Sequence, residues 1–478
     1  MGETANPVDH VVDPGSFKPT ADDLSAPDPL TFPGYSQAVA DARARGRDEA
    51  VLTGAATVMD HSVEIASFEF GFLGGSMGEI VGERIARCME RAIERNVPFL
   101  LRTTTGGARM QEGMSALVQM PKLVAARTTL ADAGIPYIAV LGDPTTGGVL
   151  ASIGALADYT MAESGATIGF AGPRVVEVVT GAVPSGASHT AAAALSSGLV
   201  DTVVHPTDVR ALVGMVLEVL TDDAPEHIEA PATVEAEPID GWEAVLSARS
   251  VKRPSGAALG RAMADAFVEL HGDRAGGDDG ALVAAFARIK GRRVLMLGLD
   301  RASPGPAAFR TAQRCLSIAA RLGLPVVTMI DTPGADPSET SESEGIAWAI
   351  GGLFETMLSI PVPIVSIVTG EGGSGGALAF ACGDVLLAYE AAVFSVIKPE
   401  AAAAILWRDA GRAEEAARVL GLTAHDLHGL GIADAILPEP PDAGLLADAV
   451  AYHLDRITGR RHELVAARRA RWRHMGGY

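Results

Sequence analysis

The stretch VPFLLRTTTGG (residues 97–107), followed by GIPYIAVLGDPTTGGVLASIGALADYTMAE (134–163), returns later in the chain. There it reads LPVVTMIDTPGA (324–335), followed by IPVPIVSIVTGEGGSGGALAFACGDVLLAYE (360–390). IGFAGPRV (168–175) and SSGLVDTVV (196–204) return in the same order as FSVIKPEAA (394–402) and LGIADAIL (430–437). Gly107 aligns with Gly334, the pair Gly147-Gly148 with Gly375-Gly376, Asp158 with Asp384 and Pro173 with Pro399, at a nearly constant offset. A repeat this long implies two copies of one domain. Within each copy, β-rich runs (PFLLRT and PYIAVLG, then RVLMLGL, PVVTMID and PIVSIVT) alternate with longer helical stretches, which reads as an α/β fold.

Outward from the repeat, the chain divides into five parts. Residues 1–30 are polar and proline-rich and read as a flexible arm. Residues 31–220 and 241–440 hold the two copies. Residues 221–240 are acidic and proline-rich, the composition of a linker. Residues 441–478 are helical in pattern and turn basic, with Arg456, Arg460, Arg461, Arg468, Arg469, Arg471 and Arg473. Such a run reads as a solvated helix face or a dock for an acidic partner.

The formal net charge of −21 argues against nucleic acid and anionic membrane as partners. No uncharged run is long enough to span a bilayer, and no apolar leader opens the chain. Cys88, Cys315 and Cys382 lie far apart, without disulfide or metal spacing, which suits buried thiols in a reducing cytoplasm.

Two familiar patterns overlap in TGEGGSGGALAFA (369–381). Gly370, Gly372 and Gly375 satisfy the dinucleotide fingerprint, and Gly372, Ser374 and Gly376 the nucleophile elbow of hydrolases. The first copy has only DPTTGGV there, so neither chemistry is shared by the repeat. What both copies keep is a glycine pair where a strand runs into a small-residue helix, and a second loop after the preceding strand, Gly106-Gly107 and Gly334-Ala335. A helix start carries unsatisfied N–H groups and partial positive charge. Glycine lets a ligand approach that backbone. Each copy is therefore expected to converge two amides on one oxygen that becomes negative. Arg109 and Arg174, beside these turns, are candidate phosphate ligands.

The stretches FLGGSMGEIVGERI (72–85), TTGGARMQEG (104–113), DPTTGGV (143–149) and IGFAGPR (168–174) resemble the carboxyltransferase β subunit of bacterial acetyl-CoA carboxylase. DTPGA (331–335), GEGGSGGALA (370–379) and the flanking sequence resemble its α subunit, so the chain looks like a β–α fusion. The resemblance implies tandem ClpP/crotonase-like domains. It also implies carboxyl transfer from carboxybiotin, held on a separate biotin carboxyl carrier protein, to the α-carbon of a short acyl-CoA such as acetyl- or propionyl-CoA. Biotin carboxylase is then a further partner, and the chain is expected in the cytoplasm as a dimer or larger homo-oligomer. By the same carry-over, Gly106, Gly107, Gly147 and Gly148 would hold the thioester enolate, and Gly334, Gly375, Gly376 and Ala377 the biotin ureido oxygen. Leu378 and Ala379 would border that site. The alternative is a component that decarboxylates malonyl or methylmalonyl thioesters through the same site. The family's β subunit usually begins with a four-cysteine zinc ribbon; no cysteine precedes Cys88 here, so no zinc site is expected. The loop DPSETSESEG (336–345) and the short segment GLDRASPGPAAFRTAQR (298–314) also depart from the family pattern.

Overall fold

The computed structural model describes residues 6–22, 24, 28–183, 186–221, 225–235, 237–457 and 459–475. The chain forms two compact units. The first runs to Glu218 and includes Arg274–Gly276; the second comprises Val219–Asp273 and the residues from Gly277 onward.

In the first unit the strands are β1 (Lys18–Pro19), β2 (Val51–Val58), β3 (His61–Phe68), β4 (Phe99–Thr105), β5 (Tyr137–Thr146), β6 (Tyr159–Glu163), β7 (Ile168–Gly169) and β8 (Thr202–Val204). They pair in the order β1-β2-β3-β4-β5-β6-β8, with β7 alongside the end of β5. From β3 onward the pairing is parallel, while β1 and β2 add antiparallel partners at one edge.

The second unit repeats the plan with β9 (Ala266–Leu270), β10 (Leu282–Ile289), β11 (Arg292–Leu299), β12 (Val326–Thr332), β13 (Ile364–Gly373), β14 (Val385–Tyr389), β15 (Val393–Ser395) and β16 (Ala435–Leu437). Their order is β9-β10-β11-β12-β13-β14-β16, with β15 beside β13. The five apolar runs read as strands from sequence lie in β4, β5, β11, β12 and β13. The hairpins β2–β3 and β10–β11 extend the repeat. Each turns through two residues of positive φ, Met59-Asp60 (49° and 68°) and Lys290-Gly291 (49° and 77°), as the right-handed twist of paired strands favours.

Helices Glu79–Arg95 and Pro306–Leu322 cover the sheets at matching places. Their apolar residues recur every three or four positions, so one stripe is buried. Cys88 and Cys315 lie on those inner stripes. Asp158 and Asp384, aligned in the repeat, also do one job: each carboxylate accepts the N–H of the first residue of a central strand, Tyr137 at 2.9 Å and Ile364 at 2.8 Å.

Three sequence expectations change here. The described part of the supposed N-terminal arm packs onto the first unit: Val8, Val11 and Val12 are buried, and Lys18–Pro19 pairs with β2. Its few apolar residues are spaced through a polar run, so composition hid them. In the supposed linker, Glu226 donates its N–H to Lys290 O and Val234 bridges to Ile436, so these residues follow the second unit's surface. In the basic tail, helix Arg461–Arg473 does not present all its arginines to water. Arg468 is buried, ion-paired with Asp384, and donates to the carbonyls of Met357, Ile360 and Val362. Among the described residues no helix is long and apolar enough to cross a membrane.

Candidate active site

Adjacent parallel strands end side by side, so their C-terminal loops meet. Here β4 delivers Gly106-Gly107 and β5 delivers Gly147-Gly148, while β12 delivers Pro333-Gly334-Ala335 and β13 delivers Ser374-Gly375-Gly376. Both strand pairs carry the same register irregularity just before the turns, between Thr103 and Thr105 and between Ile330 and Thr332.

In the first copy the turns touch backbone to backbone. A Cβ added to Gly147 would lie 2.9 Å from Gly107 Cα, and one on Gly107 would lie 3.6 Å from Gly148 N. Both glycines have positive φ, 108° at Gly107 and 68° at Gly147, a region that L side chains enter at a cost. The second copy repeats the contact. A Cβ on Gly376 would lie 2.8 Å from Ala335 N, and one on Gly373 would lie 2.6 Å from Gly334 N.

Superposing these turns shifts one alignment by a residue. Gly147 opens its helix with φ of 68°, and the residue that opens the second helix is Ser374, with φ of 60°. Gly147-Gly148 therefore corresponds to Ser374-Gly375, not to Gly375-Gly376. A positive φ can be carried by serine, so matching glycine to glycine put the pair one place late. Ser374 does hold the strand–turn–helix position of a nucleophile elbow, yet among the described residues no imidazole is hydrogen-bonded to its hydroxyl.

The amide accounting identifies which glycines can donate. Gly106 N–H is taken by Gly74 O (2.9 Å), Gly107 N–H by Thr105 Oγ1 (3.0 Å) and Gly147 N–H by Phe170 O (2.9 Å). Gly334 N–H goes to Thr332 Oγ1 (3.2 Å), the same bond as in the first copy. These four residues bring the turns together rather than offering a proton. The first N–H groups of a helix have no partner inside it, and neither helix start has a capping side chain. Among the described residues no side chain and no loop carbonyl takes the N–H of Gly148 or Gly375, each the second residue of its helix. The same holds for Ala108 and Ala335, each directly after its φ-positive glycine. Each copy thus leaves an alanine amide and a glycine amide unclaimed at the meeting of two turns. Ala108 escaped the sequence reading, because nothing marks an alanine as a donor until the bonds of its neighbours are known.

Other candidate residues sit differently. Ala377 is four residues into its helix, where its N–H belongs to the helical ladder; it and Ala379 are fully buried, while Leu378 is half-buried. Arg109 is fully buried and cannot meet a phosphate in this fold. It pairs with Glu49 (2.6 Å) and Glu112 (3.2 Å) and donates to Ser76 O (2.8 Å). Burial opposes its charge, but the bonds to Glu49 outweigh that and hold the guanidinium protonated. Burial and the bond to Glu112 push the neighbouring Tyr35 hydroxyl up to about 12. Arg174 is the second residue of the helix Pro173–Thr180, and its side chain lies outside what the structure describes.

With this geometry in hand, comparison with known proteins is informative. Residues 226–476 match the family described as acetyl co-enzyme A carboxylase carboxyltransferase-like. The chain is 42% identical, over 98% of its length and 89% of the relative's, to acetyl-coenzyme A carboxylase carboxyl transferase subunits beta/alpha of Salinispora arenicola. It is 38% identical, over 94% of each chain, to a probable biotin-dependent acyl-coenzyme A carboxylase beta3 subunit of Mycobacterium tuberculosis. Its fold matches that of the transcarboxylase 12S hexamer core, with a TM-score of 0.76 at 24% identity, covering 94% of this chain and 88% of that one.

Proposed function

Because the chain belongs to the acetyl-CoA carboxylase carboxyltransferase family, we propose that it moves a carboxyl group from carboxybiotin, presented by a biotin carboxyl carrier protein, to the α-carbon of an acyl-CoA. The observation that carries this reading is the matched pair of unclaimed amides in each copy, Ala108 with Gly148 and Ala335 with Gly375.

The transfer creates negative oxygen in two places. Removing the α-proton of a thioester puts charge on the thioester oxygen, and releasing CO2 from a carboxylated urea puts charge on the urea oxygen. Each oxygen needs fixed donors that require no rearrangement as charge develops. The first-copy amides serve the thioester, and the helix start behind Gly148 adds its partial positive charge. The second-copy amides fit a ureido oxygen: open space lies where a Gly375 side chain would be, and Gly376 closes the back of the turn against Ala335. Carboxybiotin, when present, supplies both the CO2 and the base, in keeping with turns built of backbone rather than titratable side chains. We place the two half-sites in a homodimer or larger assembly, with biotin carboxylase as the supplier of charged carrier.

The test is transfer of label from bicarbonate to acetyl- or propionyl-CoA by the purified chain, with biotinylated carrier, biotin carboxylase and ATP. A labelled malonyl-type thioester is expected. No product with any acyl-CoA would overturn the reading, and net transfer of the carboxyl group from malonyl-CoA to the carrier's biotin, with acetyl-CoA left behind and no transfer the other way, would favour the decarboxylase alternative.

A further inference from the structure

We infer that a cavity behind the first-copy turn receives the tail of the acyl group, so that the preferred substrates carry medium-length chains rather than acetyl or propionyl. This rests on the carboxyltransferase reading and narrows its substrate class. The cavity has a volume of about 460 Å³ and lies wholly in the first unit. Its apolar wall is built by Leu141, Leu150, Ile168, Phe170, Leu199 and Val200. Two of these adjoin the turn: Leu150 follows directly on the helix begun by Gly147, and the Phe170 carbonyl accepts the Gly147 N–H. Through these two residues the cavity wall is continuous with the turn that carries the unclaimed Gly148 amide.

Size and polarity decide the occupant. An apolar cavity of about 150 Å³ already holds benzene, so this one exceeds the need of a two- or three-carbon acyl group several-fold. It falls instead within the range of pockets that enclose a drug-sized ligand, about 300–1,000 Å³. A chain on the order of six to ten carbons fits it. The lining is mostly apolar, with Ser188, His189, Thr190, Ser197 and Arg274 contributing its polar part.

Titration calorimetry of the full chain with acetyl-, propionyl-, hexanoyl-, octanoyl- and decanoyl-CoA tests this. Affinity is expected to rise with chain length, by up to about fourfold per methylene buried, until the cavity fills. Thr160→Ile adds bulk to the wall from a strand that tolerates β-branching, and Ala193→Leu narrows it from the helix Ala191–Ser196. Each should weaken octanoyl-CoA about tenfold while leaving acetyl-CoA within about twofold. A flat or falling affinity beyond propionyl-CoA, or variants that bind octanoyl-CoA as the parent does, would overturn the inference and leave the transferase reading intact. So would octanoate binding as tightly as octanoyl-CoA, which would make the cavity a separate lipid site. Failure of every thioester to bind, acetyl-CoA included, would instead strike the carboxyltransferase reading and take this inference with it.

Discussion

Single glycines in the two turns do different work, and substitution separates the roles. Gly375 has open space in place of a side chain. Gly375→Ala should fold normally and crowd only the ligand, lowering the rate of carboxyl transfer about ten- to hundredfold with an unchanged Tm. Gly147→Ala meets Gly107 Cα at 2.9 Å and a φ of 68°. It should cost about 1–3 kcal/mol of stability as well as activity, read as a lower midpoint in urea. Arg109 gives a third contrast. Arg109→Met strands the buried carboxylates of Glu49 and Glu112 and should cost about 3–5 kcal/mol. Where Arg109→Lys restores folding, KM for the acyl-CoA should equal that of the parent; a raised KM would return Arg109 to the ligand. At this scale the sequence was legible where chemistry demands a residue type. Gly107 and Gly334 had to be glycine, and their match across the repeat showed it. The donors were less legible, because an amide's availability depends on acceptors such as Gly74 O and Phe170 O that come from distant parts of the chain.

Among elements, the long parallel strands announced themselves through apolar runs, since the centre of a parallel sheet is buried on both faces. The hairpins β2–β3 and β10–β11 were quieter: the first turns through Met59-Asp60 without a glycine, and the second offers the single Gly291. Quietest of all was the N-terminal segment. Its three valines are buried, and Asp13 ties it down by accepting from the Thr57 hydroxyl and the N–H groups of Met59 and Asp60. Deleting residues 1–20 should therefore lower stability, each buried valine being worth at most about 1.5–3 kcal/mol. Burial pulls the Asp13 pKa upward, but these hydrogen bonds prevail and hold it below the usual 3.8. A depressed pKa means a contribution fully present above 3.8 and lost as pH falls below it. The gap in Tm between the parent and Asp13→Asn should thus shrink on acidification from pH 5 to pH 3; a constant gap would refute the assignment.

For the whole molecule, duplication explains most of the architecture, and the departures from it show where the copies specialised. Asp158 and Asp384 hold equivalent strands, but only Asp384 is clamped by a buried arginine from the chain's last helix. A basic tail gave no hint of this, since arginines in such a run usually face water. Arg468→Met leaves Asp384 and three carbonyls without their donor and should cost about 3–5 kcal/mol in the second unit. Chemical unfolding followed at Trp472, which donates to Gly383 O beside the clamp, would report it. The same latch gives an endoprotease one decisive target: a cut between helix Ala443–Arg456 and helix Arg461–Arg473 would let the latter drift off and withdraw the bolt from the far end of β13 and β14.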